Sequence, residues 1–489
     1  MGGMNEYLQL TTGNRLVDRA FRIALGDYFG NVQPWRGDNS VESRPCILAG
    51  LDYDKPWTRD AAFNAWFAGS LLTPEVAKNT LLGVLTRDEA GLRIGGEYWD
   101  AIVWVTAAWN HFLVTGDRDF LATAFEVAVN SLHYFESTEL DLRDGLFRGG
   151  ACFQDGVAGY PDYFADGPTS GIADWVKVHP REIASCGHGL PMKALSTNAL
   201  YYNAYRILPK MASILGALAN PDWAERLERL KTAINQKFWN SGTGTFRYLV
   251  DAYDTTDRQE GFGHAFVLLF GIASDEQARS VLQNQYRTAH GIACVWPTYE
   301  RYTTPDGMSF GRHSGVIWPQ VNTAWVMAAA EFSRPDLAWN ELTSLAGKAC
   351  RDNQFAELYH PLTGEIYGGR QEKWDGSGVV EWLACQRQTW CATGYVRMIL
   401  STLFGLSVDA SGVCFTPWLP GELSRVSLEG LCYREARITL VVEWSEGAPR
   451  IEINGEQREK SVVSANAKGR QDVHVMLGSR APSSRVTWP

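Results

Sequence analysis

The sequence predicts a mainly α-helical fold, an (α/α)6 toroid with a small antiparallel β-sandwich at its C-terminal end. Three observations carry this. Twelve helical segments can be read between about residue 10 and residue 406. They alternate between amphipathic stretches and stretches that are small, aromatic and apolar on nearly every face. From about Val408 the period changes to short alternating runs such as RITLVVEW, PRIEING and DVHVML, separated by turn residues.

The segments expected to be buried, and so to form an inner ring, begin near Asp60, Asp100, Met192, Gln259, His313 and Gln388. Their amphipathic partners begin near Leu10, Pro74, Arg118, Pro221, Ser274 and Arg334. Several open with a proline or an acidic residue in the first turn; in TPEVAKNTLLGVL, Thr73 is the expected cap and Pro74 takes the first helical position. The division expected is 1–407 for the helical domain and 408–489 for the β-sandwich. Polar motifs cluster at the starts of the inner segments: PWTRD, GGEYWD, HGLPMK, DRQEGFGH, SFGRHSG and ACQRQTW. With the inner helices parallel, these starts meet at one end of the toroid and line a funnel. The loops at 36–58, 145–191 and 290–312 are too long for plain connections and are expected to build that site.

Composition narrows the function. The net charge of −10 leaves nothing to neutralise phosphates, which argues against a nucleic-acid partner. No stretch approaches the roughly 20 apolar residues of a membrane helix, so no membrane partner is expected. The nine cysteines are scattered with no CxxC pair, the pattern of reduced thiols. The N-terminus shows no secretory signal, and cytoplasmic is the default localisation. The nine histidines show neither HxH nor HExxH spacing, so no metal and no cofactor is expected. A homo-oligomer is compatible with the sequence. Tryptophan, at 19 residues in 489, is about three times its usual frequency. The excess fits a large aromatic core and, equally, recognition of pyranose rings by flat aromatic faces.

Among 55 Asp and Glu residues, position must decide which carry chemistry. PWTRDAAF puts Arg59 and Asp60 at the start of the first inner helix, where an Arg–Asp pair can grip vicinal hydroxyls or act as a structural salt bridge. GGACFQDGVAGYPD places Asp155 in a glycine-flanked loop near Phe153 and Tyr160. A carboxyl among aromatics would have its pKa raised, as a general acid requires; an Asx-turn aspartate is the plainer alternative. FAELYHPLTGEIYGG offers Glu357, set between apolar residues, and Glu365, which looks solvated.

Taken in order, PWTRDAAF, FQDGVAGYPD, GVIWPQVN, ELYHPLTGE and QTWCATGYVRMIL resemble the inverting (α/α)6 glycoside hydrolases, nearest to family 63 and its relatives. Those relatives include the trehalases of family 37, the amylo-α-1,6-glucosidase domain of glycogen debranching enzymes and the alkaline invertases. The resemblance covers about residues 50–410. It implies that Glu357 is the general base and Asp155 the general acid. It also implies that Arg59, Asp60, Trp318, Gln320 and Trp390 line the subsite of the nonreducing sugar. Trp57, Trp99, Asp100 and Gln154, which flank the same motifs, join them as sugar-binding candidates, with Asp100 also a rival acid. The sequence departs from the pattern in the long insertion EKWDGSGVVEWLACQ, where Trp374 and Glu381 could remodel the pocket.

The expected activity is therefore exo-acting, inverting hydrolysis of an α-linked sugar, α-glucose first, from a small carbohydrate substrate. An α-L-rhamnosidase-like hydrolase is an alternative on the same fold. An inverting disaccharide phosphorylase is another; it would make Glu357 dispensable and would need a basic anion pocket, for which only Arg312, Arg370 and Arg387 offer themselves.

Overall fold

The computed structural model describes residues 8–37, 42–89, 91–179, 187–253 and 255–479. The chain is mainly helical. Its helices are α1 (Arg15–Gly30), α2 (Thr58–Asn64), α3 (Ser70–Leu72), α4 (Pro74–Gly83), α5 (Val103–Thr115), α6 (Arg118–Thr138) and α7 (Trp175–Val178). They continue with α8 (Leu195–Leu215), α9 (Asp222–Phe238), α10 (Gly261–Leu269), α11 (Asp275–Asn284), α12 (Pro319–Glu331), α13 (Pro335–Asp352) and α14 (Thr389–Thr402).

The six inner segments are α2, α5, α8, α10, α12 and α14. Each packs on the next, and α14 packs back against α2. The amphipathic helices lie outside: α1 against α13 and α14, α6 against α5 and α8, α9 against α8. Capping explains several starts. Asn14 accepts the Leu16 and Val17 N–H groups, Asp117 accepts Phe120 N–H at 2.9 Å, and Ser274 with Gln277 forms a capping box. Three starts differ from expectation. The helix expected from about Leu10 begins at Arg15, and Leu10 itself lies in the strand Gln9–Thr11. Thr73 makes no side-chain cap to α4, because its hydroxyl bonds the Tyr28 hydroxyl instead. The segment from His313 stays in a loop until Pro319, whose fixed φ and missing N–H suit the first helical position.

Between α2 and α3 the helix widens into a π-turn, Ala65–Gly69. Arg397 of α14 answers it: its Nε and Nη2 donate at 2.6 Å to the carbonyls of Phe67 and Trp66. Much of the aromatic excess fills the centre of the ring. Phe262, Phe266 and Phe270 stack along one face of α10 at 4.9 and 5.2 Å, and Phe63 stacks on Phe262 at 5.0 Å.

The C-terminal strands form two sheets. Three strands, Leu406–Val408, Gly412–Phe415 and Val462–Ser464, make the smaller. The larger has six, in the order Gln9–Thr11, Arg425–Tyr433, Ala436–Glu443, Gly469–Met476, Arg450–Ile453 and Glu456–Arg458. Two features correct the expected picture. Ala436–Glu443 pairs with Gly469–Met476 in parallel, not antiparallel, because the intervening segment carries three other strands and returns in the same direction. And Gln9–Thr11, which precedes α1, pairs with Ser427–Glu429, so a strand from before the helices joins the C-terminal sheet.

Among the described residues no helix is long and apolar enough to cross a membrane. The eight described cysteines are free; Cys186 lies outside the described residues.

Candidate active site

A cavity of about 890 Å³ opens at the end of the ring where the inner helices begin. Its wall is drawn from all three long loops and from the stretch before α14. Asp52, Tyr53 and Trp57 come from the first loop, Phe153 and Asp155 from the second, and Arg312 from the third. Part of the second loop, 180–186, lies outside the described residues.

Asp155 is aimed by an unusual backbone. Phe153 adopts φ 61, in the left-handed region, and its N–H donates to Asp100 Oδ2 at 2.7 Å. The next side chain, Gln154, turns inward and accepts from the Tyr248 hydroxyl at 2.9 Å. Asp155 then faces the cavity, where Arg59 Nη2 donates to its Oδ2 at 3.2 Å and the His313 ring lies 3.4 Å from Oδ1. Gly156 follows because any Cβ there would fall 2.1 Å from Gln371 Oε1.

Glu357 stands on the wall, buried. Its Oε2 accepts from the Cys385 N–H at 2.9 Å and from Arg312 Nη2 at 2.8 Å, and its Oε1 accepts from the Tyr53 hydroxyl at 3.3 Å. Three donors fix its orientation. Each candidate carboxylate thus has its own guanidinium.

Asp60, in the first turn of α2, does not pair with Arg59. Adjacent helical residues point apart; Arg59 reaches Glu97 at 2.8 Å as well as Asp155, while Asp60 accepts from Gln388 Nε2 at 3.2 Å. Burial is the main force on Asp60, with Glu357 and Asp155 adding to it against Arg59, and its pKa is pushed up to about 8. Burial raises Asp100 to about 7 and lowers His313 to about 4. Asp155 goes the other way from expectation. Burial pushes it up, but Arg59, with His313 and Arg312, outweighs that and holds its pKa below the usual carboxylate value.

Of the sequence candidates, Trp57, Arg59, Asp60, Asp155, Trp318, Glu357 and Trp390 share the cavity wall, and Trp374 and Glu381 of the insertion stand on it too. Four others do not line it. Trp99 is buried with its Nε1 donating to the Ala151 carbonyl, Gln154 and Gln320 are wholly buried, and Asp100 lies behind Arg59. Asp100 therefore positions the Phe153 backbone and is not available to protonate a ligand. Arg370 and Arg387 are also off the wall, and Glu365 is exposed elsewhere. Unforeseen members are Tyr53, Glu97, His313, Trp382 and Gln388. All but Tyr53 and Trp382 sit in the polar motifs that open the inner helices.

Paired helices with two separately oriented carboxylates facing one cavity define a glycosidase of the (α/α)6 type. Over residues 101–377 the chain matches the family described as mannosylglycerate hydrolase MGH1-like glycoside hydrolase domain, and it belongs to that family. No curated protein sequence matches it. Solved structures show the same fold. One is a GH63 mannosylglycerate hydrolase from Thermus thermophilus in complex with glucose (17% identity, 77% of this chain and 99% of that chain, TM-score 0.58). Another is a sialidase (12% identity, 89% of this chain, TM-score 0.66), and this chain spans only 38% of its length. A third is a GH78 family rhamnosidase of a Bacillus species (14% identity, 97% of this chain and 44% of that chain, TM-score 0.54).

Proposed function

We propose that this chain is an exo-acting, inverting glycoside hydrolase that removes an α-linked sugar, α-glucose first among the candidates, from a small oligosaccharide or glycoside. It does so on an (α/α)6 toroid followed by a β-sandwich at about 408–489. The observation that carries this reading is that Asp155 and Glu357, from different loops, line one cavity, each oriented by a separate arginine. Asp155 donates a proton to the leaving oxygen; Glu357 takes one from the attacking water. Asp155 is held ionised in the empty site, so it gains its proton as sugar displaces water around it and strengthens the burial effect that already opposes Arg59. Asp60 and the indoles of Trp57, Trp318 and Trp390 hold the sugar ring.

The test is stereochemical. Proton NMR of the anomeric signals, begun within the first minutes, should show the β-anomer released first from an α-glycoside, followed by slow mutarotation. The substrates should include α-glucosides, α-mannosides and α-L-rhamnosides, because the family and two of the similar structures are named for the last two sugars. Release of the α-anomer first would remove the inverting roles of both carboxylates. A phosphorylase finds little support, since among the described residues the two guanidiniums on the wall, Arg59 and Arg312, are both bonded to carboxylates.

A further inference from the structure

We infer that the protein carries a second ligand site, at the opposite end of the ring from the candidate active site, and that this site takes a phosphate ester borne on a ring. The inference does not depend on the hydrolase reading.

A cavity of about 880 Å³ lies where the inner helices end. Its wall is drawn from the later turns of α5, α8, α10, α12 and α14, from the π-turn, and from the turn at 409–411 of the smaller C-terminal sheet. Trp66 and Phe270 line it with their rings stacked, 6.3 Å between centres and 28° between planes, and half-buried Trp109 stands on the same wall. These are flat apolar faces of the kind that receive a ring.

The charge on this wall runs against the net −10 of the chain. Among the described residues it holds three cations, Arg206, Lys210 and Arg397, and two carboxyls, Glu331 and Asp409. Asp409 is taken up by its own turn, where it accepts from the Ser411 N–H and hydroxyl and from the Gly412 N–H. Arg206 and Lys210 lie one turn apart on α8 and share a face. Arg206 is held rigid: Nε donates to Asn203 Oδ1 at 3.0 Å and Nη1 to the Phe270 carbonyl at 3.1 Å. Its Nη2 and the Lys210 ammonium have no protein partner among the described residues. Burial lowers the pKa of Arg206 against Tyr202 and Glu331, and burial with Arg206 lowers that of Lys210, so the pair is short of counter-charge.

Arg397 gives an independent sign. It is 4% exposed, and burial lowers its pKa to about 10 with no carboxylate acting on it. Its Nε and Nη2 are bonded to the π-turn carbonyls, which leaves Nη1 without a protein partner among the described residues. Capping of helix ends explains the donors that reach carbonyls. It does not explain the three donor groups left over beside an aromatic surface. A fixed guanidinium next to an ammonium matches the two charges of a phosphate monoester, and the rings beside them match its body.

The test is calorimetry of the intact protein with glucose 6-phosphate, AMP, inorganic phosphate, glucose and adenosine. At least one ester is expected to bind at concentrations up to about 5 mM. It should bind at least about tenfold tighter than its uncharged parent and than inorganic phosphate. Which ester binds tells whether the ring is a sugar or a base. The double variant Arg206→Gln/Lys210→Gln should weaken that binding by about tenfold or more. Lys210→Gln alone changes an exposed side chain; it should weaken binding by about threefold and decides the matter if the double variant does not fold. No binding of either ester, a parent or inorganic phosphate bound as tightly, or unchanged binding in the folded variants overturns the inference. Glycoside turnover bears only on the hydrolase reading, so the two can fail separately.

Discussion

The carboxylate of Asp100 accepts the Phe153 N–H at 2.7 Å and holds that residue in the left-handed backbone region, two positions before Asp155. A buried carboxylate is thereby spent on aiming the loop that carries the proposed acid. Asp100→Asn keeps an oxygen that can accept this bond, so it should retain a substantial share of activity. Asp100→Ala should lose both activity and about 1–3 kcal/mol of stability, since it strips a hydrogen bond from a buried N–H. Equal loss of activity in both variants, with the fold intact in each, would return Asp100 to the set of candidate proton donors.

Asp155→Asn and Glu357→Gln should each lower kcat by about 10²–10⁴ or more, because each removes the proposed proton-transfer role while keeping the shape. Circular dichroism should show both variants folded. Near-normal turnover in either one would strike that residue from the mechanism.

Substrate binding should draw in a proton. At pH 6 Asp155 is ionised in the empty site, whereas Asp60, raised to about 8, is already protonated. Calorimetry of a non-hydrolysable thioglycoside in buffers of different ionisation enthalpy should therefore report proton uptake. Asp155→Asn should abolish the uptake. The same uptake in that variant would place the proton elsewhere.

Asp60 and Asp100 link stability to pH in an unusual direction. Their folded pKa values, about 8 and about 7, lie above the value of roughly 3.9 in the unfolded chain. The folded state thus binds more protons between those limits, and stability from these groups, complete below about pH 4, is lost as pH rises through 7 to 8. Asp60→Asn should flatten that slope and raise Tm at pH 8 more than at pH 5, while weakening substrate binding. A Tm difference that does not change with pH would contradict the raised pKa.

Much of the helical frame was legible because its signals are local. Proline at the starts of α4 and α13, and the caps of α6 and α11, need only neighbouring residues to act. The parallel pairing of Ala436–Glu443 with Gly469–Met476 was not legible, since alternation marks a strand without naming its partner.

The site divides in the same way. The polar motifs that open the inner helices brought Arg59, Asp60 and Trp390 to one end of the ring, and the family resemblance added Asp155, Trp318 and Glu357; all six reach one cavity. Only the tertiary structure decided what each does there. Asp155 reads in sequence as a carboxyl raised by aromatics, but Arg59, from 96 positions away, holds it ionised. Asp100 and Gln320 share motifs with wall residues, yet lie behind the wall. Burial and charge are set by what converges in space, and a carboxylate's pKa depends on neighbours that the order of residues does not name.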